Sequence, residues 1–218
     1  MPLATFGEDA DVTTTTAPGG HMAGENLSIW REGRIPWRQG DRDYNGVFLG
    51  WNRAEGASVP TYAISLPEGA AAKWNLGSHS TIELSIAVLD QEAPLPGKRK
   101  DEEDKKPETP TAREPDSPDF TLELVASDGA VASAPVTRFA AIPPPLKVKF
   151  TKLDVLDSQT YEKDWEPVFQ TVRVPLMAFQ SGGGPTRFDP RKLTVVRLRF
   201  DRTATAVICV SGIGFGTQ

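Results

Sequence analysis

One pattern constrains this 218-residue chain more than any other: apolar and polar residues alternate with a period of two, in short runs cut off by glycine and proline. In the segment 60–66 the larger apolar side chains Tyr62, Ile64 and Leu66 fall on one side. From Thr81 to Asp90 the residues Ile82, Leu84, Ile86 and Val88 share a face, with Glu83 and Ser85 opposite. Phe120, Leu122 and Leu124 repeat the pattern, as do Val172, Val174 and Leu176. Leu146, Val148 and Phe150 alternate with Lys147 and Lys149, and Val196, Leu198 and Phe200 alternate with Arg197 and Arg199. Successive side chains of a strand point to opposite sides, so each run has one buried face and one wet face. That is the signature of antiparallel sheets packed on one side only. The segments 26–31, 46–51, 131–139 and 206–215 are further strand candidates, which makes about ten in all. Only 68–74 and 189–193 read as helical turns. The expected fold is all-β, an antiparallel two-layer sandwich forming a single domain over residues 1–218.

One stretch departs from this pattern. Residues 97–118 hold 13 charged side chains out of 22, four prolines and Ala112 as the only apolar residue. Such a composition buries too little surface to offset its ordering entropy. It is expected to be a flexible charged loop within the domain, because strand patterns flank it closely on both sides; an interdomain linker is the alternative. Its six basic and seven acidic residues nearly cancel.

Several chemistries are absent. The chain lacks a Gly-x-Ser-x-Gly nucleophile elbow, a His-Glu-x-x-His helix and a Gly-Lys-Ser/Thr phosphate loop. Gly182–Gly184 precedes Pro185 and reads as a turn, while the glycines of 212–216 have no helix after them and make no dinucleotide site. His21 and His79 sit in Gly/Ser-rich stretches and read as surface residues, and Cys209, in an apolar run, as a buried inert thiol. A single cysteine rules out an internal disulfide framework and a cysteine-based zinc cluster. Paired carboxylates for glycoside hydrolysis need no motif; Glu83 and Glu123 sit mid-strand on wet faces. No catalytic residue is assigned, and no enzyme activity is expected. A net charge of −5 argues against nucleic acid as a partner, and no apolar run approaches the roughly 18 residues of a membrane span. The opening residues lack a basic segment followed by an apolar stretch, so no signal peptide is expected there.

The C-terminal third carries a resemblance. Gln170–Phe179 contains Val-x-x-Pro-Leu-x-x-Phe spacing, Phe188–Leu193 reads Phe-Asp-Pro-Arg-Lys-Leu, Val195–Asp201 ends in Phe-Asp, and Val210–Phe215 closes on Ile-Gly-Phe. Together these resemble the closing strands of galactose-binding-like jelly rolls, the fold of carbohydrate-binding modules and of accessory domains in large secreted bacterial hydrolases, α/β-hydrolase-type esterases among them. Asp119–Gly129, a strand running into an Asp-Gly turn, is similar to the middle of such domains. The resemblance implies a jelly roll, a non-catalytic accessory role, a polysaccharide ligand, a catalytic hydrolase domain as neighbour in a parent chain and an extracellular setting. Such modules often bind a structural calcium through a last-strand acid and N-terminal acids. Here Ser211 and Gly212 stand at the last-strand positions, leaving Glu8, Asp9 and Asp11 as candidate ligands, with a solvated acidic loop as the alternative. No other cofactor is implied.

The densest unusual stretch runs from Trp30 to Asn52. Flat aromatic faces stack on sugar C–H groups, and planar polar groups hydrogen-bond hydroxyls in pairs. Trp37, Arg38, Asp41, Asp43, Tyr44, Trp51 and Asn52 supply both, and are the candidate glycan-binding residues. Trp37 and Tyr44 fall in loop pattern, whereas Trp30 and Trp51 fall in strand pattern; core tryptophans beside a self-satisfied Arg–Asp network are the alternative. A second candidate surface is the row Lys147, Lys149, Arg173, Arg197 and Arg199, a basic patch for an acidic glycan or a partner domain if the strands are neighbours, and an ordinary solvated face otherwise. The rival function is a structural domain that packs on a catalytic module and binds no sugar; a β-sandwich glycan-active enzyme is a third.

Overall fold

The alternating runs become strands whose apolar sides face one another. The computed structural model describes residues 2–5, 21–23, 27–30, 47–53, 56, 58–89, 117–148, 164–181 and 188–217. Its strands are β1 (Pro2–Thr5), β2 (His21–Ala23), β3 (Leu27–Trp30), β4 (Val47–Asn52), β5 (Thr61–Ser65), β6 (Ser80–Val88), β7 (Thr121–Ala126), β8 (Val131–Pro135), β9 (Leu146–Val148), β10 (Asp164–Glu166), β11 (Gln170–Pro175), β12 (Gln180–Ser181), β13 (Leu193–Arg199) and β14 (Thr205–Thr217). One helical turn, α1 (Ala70–Lys73), and 3-10 turns at Val136–Arg138, Leu176–Ala178 and Pro190–Lys192 complete them.

Two six-stranded antiparallel sheets form the sandwich. Sheet A runs β11-β6-β14-β4-β3, with β1 also on β14; sheet B runs β12-β8-β7-β13-β5-β2. Strands β9 and β10 pair only with each other among the described residues. No described helix is long and apolar enough to cross a membrane.

The core lies between the sheets. Sheet A contributes Ile82, Leu84, Ile86, Val172, Val174, Ile208 and Val210, all nearly inaccessible to solvent, and sheet B contributes Leu122, Leu124, Ile64, Val196 and Leu198. Phe200 stacks on Trp51 at 4.1 Å between ring centroids and meets Phe120 at 5.6 Å. The helical turns expected at 68–74 and 189–193 are present as α1 and the last 3-10 turn, where the Asp189 carboxylate accepts the Arg191 backbone N–H.

The expected Asp-Gly turn joins β7 to β8. Gly129 takes φ 80°, a value costly for any residue with a Cβ, and the Asp128 carboxylate accepts the Ala130 N–H. The strand expected over 131–139 is shorter. It ends at Pro135, which has no N–H to continue a ladder, and a 3-10 turn follows. The run at Leu146 departs further: β9 lies outside both sheets and Leu146 is 57% exposed, so its alternation does not mark a core strand.

A β-bulge sets the facing of the longest strand. Along β14, Ala206, Ile208 and Val210 face the core, and so do Ile213 and Phe215, although two residues, Ser211 and Gly212, lie between Val210 and Ile213 where plain alternation allows one. The register against β6 slips at Ser211: Val210 pairs with Ile86, Gly212 with Ser85 and Ile213 with Leu84. The extra residue restores the inward phase of the second half, which would otherwise point outward.

Candidate functional site

Of the seven residues singled out for glycan contact, Trp37, Arg38, Asp41, Asp43 and Tyr44 lie outside the described residues, between β3 and β4. Glu8, Asp9 and Asp11 also lie outside them. Trp51 and Asn52 close β4. Trp51 is a correction. Its phase on β4, shared with Val47 and Leu49, turns it into the core, where it is 0% exposed and donates its indole N–H to the Thr203 carbonyl at 2.9 Å. No face of the ring is left for a sugar. Asn52, one residue on, is exposed, and its Oδ1 accepts the Thr205 hydroxyl at 3.1 Å. It lies about 17 Å along the strand from Val47, where the 31–46 segment joins.

The basic row takes the second of its two readings, an ordinary solvated face balanced by acids. Arg173 is on β11 in sheet A, Arg197 and Arg199 are on β13 in sheet B, Lys147 is on the separate β9–β10 ribbon, and Lys149 lies outside the described residues. The arginines therefore face opposite sides of the sandwich, and each is matched by an acid. Glu123 takes Arg197 at 3.1 Å and Arg199 at 3.1 Å; Asp201 lies 3.6 Å from Arg199 and accepts the Thr121 hydroxyl. Arg173 pairs with Glu83 at 3.0 Å. Glu83 and Glu123 accordingly sit on opposite outer faces, so they cannot flank one glycosidic bond.

The two outer faces differ in access. On sheet B the acid at the centre, Glu123, is only 7% exposed beneath its two arginines. On sheet A the Glu83–Arg173 pair is open, with side chains 35% and 70% exposed. Successive rungs here read Thr171–Ser85–Gly212, Arg173–Glu83–Gly214 and Pro175–Thr81–Gly216 across β11, β6 and β14. The Ser211 hydroxyl meets that of Ser85 at 2.7 Å beside the bulge. The Glu83 carboxylate fills the space that Gly216 leaves: a Cβ there would come within 2.8 Å of the Glu83 Oε1 and 3.1 Å of the Thr81 Oγ1. The Glu83 side chain thus reaches across onto the backbone of β14 on one side and to Arg173 on the other.

Farther along the same face, Ala87, Val207 and Cys209 point away from the core and are nonetheless buried. This end is closed, and burial pushes the Cys209 thiol up to about 12. Among the described residues no three His, Cys, Asp or Glu side chains gather as a metal site would require. His79 is exposed in the turn before β6, and His21 stands opposite Ala63 in the register of β2 with β5.

The sequence does not reveal the Glu83–Arg173 pair, and it shows the glycines of 212–216 only as lacking the helix of a dinucleotide site. The two partners are 90 residues apart, and only the antiparallel register of β11 on β6 makes them neighbours. The recurrence of glycine at 212, 214 and 216 was visible, but its meaning depends on which side of β14 faces out.

The sequence matches no protein-family model and no curated protein. Among solved structures, the chain is similar to a family 11 carbohydrate-binding module of a cellulosomal cellulase of Clostridium thermocellum: TM-score 0.50, 9% identity, 100% of this chain and 97% of that one. It is similar to a family 30 carbohydrate-binding module at TM-score 0.50 and 10% identity, over 100% of this chain and 95% of that one. A family 11 module from the same organism, in complex with a β-1,3-1,4-mixed-linked tetrasaccharide, superposes at TM-score 0.49 and 9% identity, covering 96% and 92%. The fold is that of a jelly-roll β-sandwich like the carbohydrate-binding modules.

Proposed function

We propose that this chain is a non-catalytic carbohydrate-binding module that holds a polysaccharide, with Trp37 and Tyr44 as stacking faces and Arg38, Asp41, Asp43 and Asn52 as hydroxyl partners. The observation that carries the reading is the likeness of the whole sandwich, along nearly all of its length, to carbohydrate-binding modules. Fold alone does not assign function, so the chemistry of the segment has to agree with it. It does: aromatic and planar polar side chains alternate between Trp37 and Asn52, and the glutamates of the two sheets, on opposite faces, leave no paired-acid machinery in that pair.

The test is Trp37→Ala, read by native gel electrophoresis through soluble polysaccharides beside a melting curve. The wild type should be retarded by at least one polysaccharide, and the variant should run freely while melting as the wild type does. Loss of a stacking face removes about 1–3 kcal/mol, enough to abolish retardation by a weak ligand. A strongly destabilised variant would show Trp37 to be a packing residue.

A second reading has its own observation. Leu146 and Met177 are 57% and 71% exposed, as expected of a domain that packs on a catalytic α/β-hydrolase-type module. Isolated exposed apolar side chains are common, and two of them fall short of a contiguous docking patch. A wild type that binds no polysaccharide would favour this second role.

A further inference from the structure

Resting on the reading of the chain as a carbohydrate-binding module, we propose that the outer face of sheet A carries a subsite for the adjacent hydroxyls of a neutral sugar, built from Thr81, Glu83 and Arg173 over Gly214 and Gly216.

Three observations support it. The first is the open ion pair. A carboxylate that accepts and a guanidinium that donates, 3.0 Å apart, can engage two neighbouring hydroxyls at once, since each hydroxyl both donates and accepts. The second is the floor. Gly216 has no Cβ, and the Glu83 carboxylate lies in the space a Cβ would fill, so once Glu83 swings aside a ring can approach the β14 backbone there.

The third is an orphan. Thr81 is 4% exposed, and its Oγ1 is buried with no hydrogen-bond partner among the described residues. Buried hydroxyls are almost always satisfied, so one left alone calls for a reason. It borders the same small space above Gly216 as the Glu83 Oε1. A rotation of the Glu83 side chain toward a ligand hydroxyl uncovers that space, and the Thr81 hydroxyl then meets a second ligand hydroxyl. The carboxylate serves as both cover and first contact.

Charge selects the ligand class. Arg173 is already neutralised by Glu83, so a carboxylated or sulfated glycan would bring its charge against that of Glu83, whereas a neutral sugar adds none. The corresponding trio on sheet B offers no equivalent, because Glu123 is enclosed by Arg197 and Arg199.

The experiment uses the full chain in native affinity electrophoresis against mixed-linkage β-glucan, glucomannan and xylan as neutral probes, and polygalacturonate and alginate as acidic ones, at about 50 and 500 mM salt. A neutral polysaccharide should retard the wild type equally at both salt concentrations. Thr81→Val keeps the shape and removes the orphan hydroxyl; it should weaken binding about fivefold or more while the melting temperature holds or rises. Glu83→Ala should lose the neutral ligand and, with Arg173 uncovered, gain salt-sensitive retention by polygalacturonate. Wild-type affinity in Thr81→Val, with binding still sensitive to Trp37→Ala, would overturn the subsite and leave the module reading intact. Salt-sensitive preference of the wild type for acidic probes would overturn the neutral class. Retention by no probe would overturn subsite and module together.

Discussion

Cys209 shows how far one residue can be read from its neighbours. Its run Val207–Val210 is apolar throughout, so a buried thiol is expected, and it is 0% exposed. What the run does not convey is that Cys209 faces away from the core and is still desolvated. Its pKa, pushed up to about 12, fixes a sign. The unfolded chain ionises at roughly 8.5 and the folded one does not, so the folded state binds more protons above that value. Stability should be unaffected below about pH 8.5 and fall as pH rises toward 12. Cys209→Ala should flatten that alkaline slope in urea titrations, and a maleimide should label the native thiol far more slowly than the unfolded one at pH 8. Trp51 makes the complementary point. As a core residue stacked on Phe200, its replacement by alanine should cost about 3–5 kcal/mol through the cavity left behind. Trp51→Phe, which mainly loses the bond to Thr203, should cost less. Equilibrium unfolding measures both; a fully stable Trp51→Ala would contradict the packing.

At the scale of elements, the bulge in β14 is the feature with the largest consequence. Alternation is counted from one end of a strand, and a single extra residue reverses it. Deleting Ser211 should turn Ile213 and Phe215 outward, or Ala206, Ile208 and Val210 if the other half slips, and so prevent cooperative folding. Ser211→Ala removes only the contact with the Ser85 hydroxyl and should cost about 1 kcal/mol. Circular dichroism with thermal melting separates the two; a deletion variant that folds like the wild type would show that the bulge is free to migrate. The shorter β8 follows from a local cause that was legible in advance, since Pro135 cannot extend a ladder. The exposed Leu146 had no local cause: three alternating residues read the same in a core strand and in a ribbon outside the sheets.

Across the whole molecule, the long charged segment is the remaining expectation, and 97–116 lie outside the described residues. Its C-terminal boundary is sharper than the composition implied, because the Ser117 hydroxyl donates to the Ile142 carbonyl and Pro118 is buried. Replacing 97–116 by a short Gly/Ser turn should therefore shift the melting temperature by less than about 5 °C, while a loss above about 10 °C would show that the segment packs. The sequence by itself determined which side of β6, β7 and β13 is buried and that two sheets enclose one core, because the two-residue period of an extended backbone is a local property that each unbroken run carries in full. Only the tertiary structure decided which strands are neighbours. It divided one apparent basic row between opposite faces and set Arg173 against Glu83 and Arg197 against Glu123. Those outcomes depend on register between segments tens of residues apart, which the core packing of the whole sandwich fixes and no single run encodes.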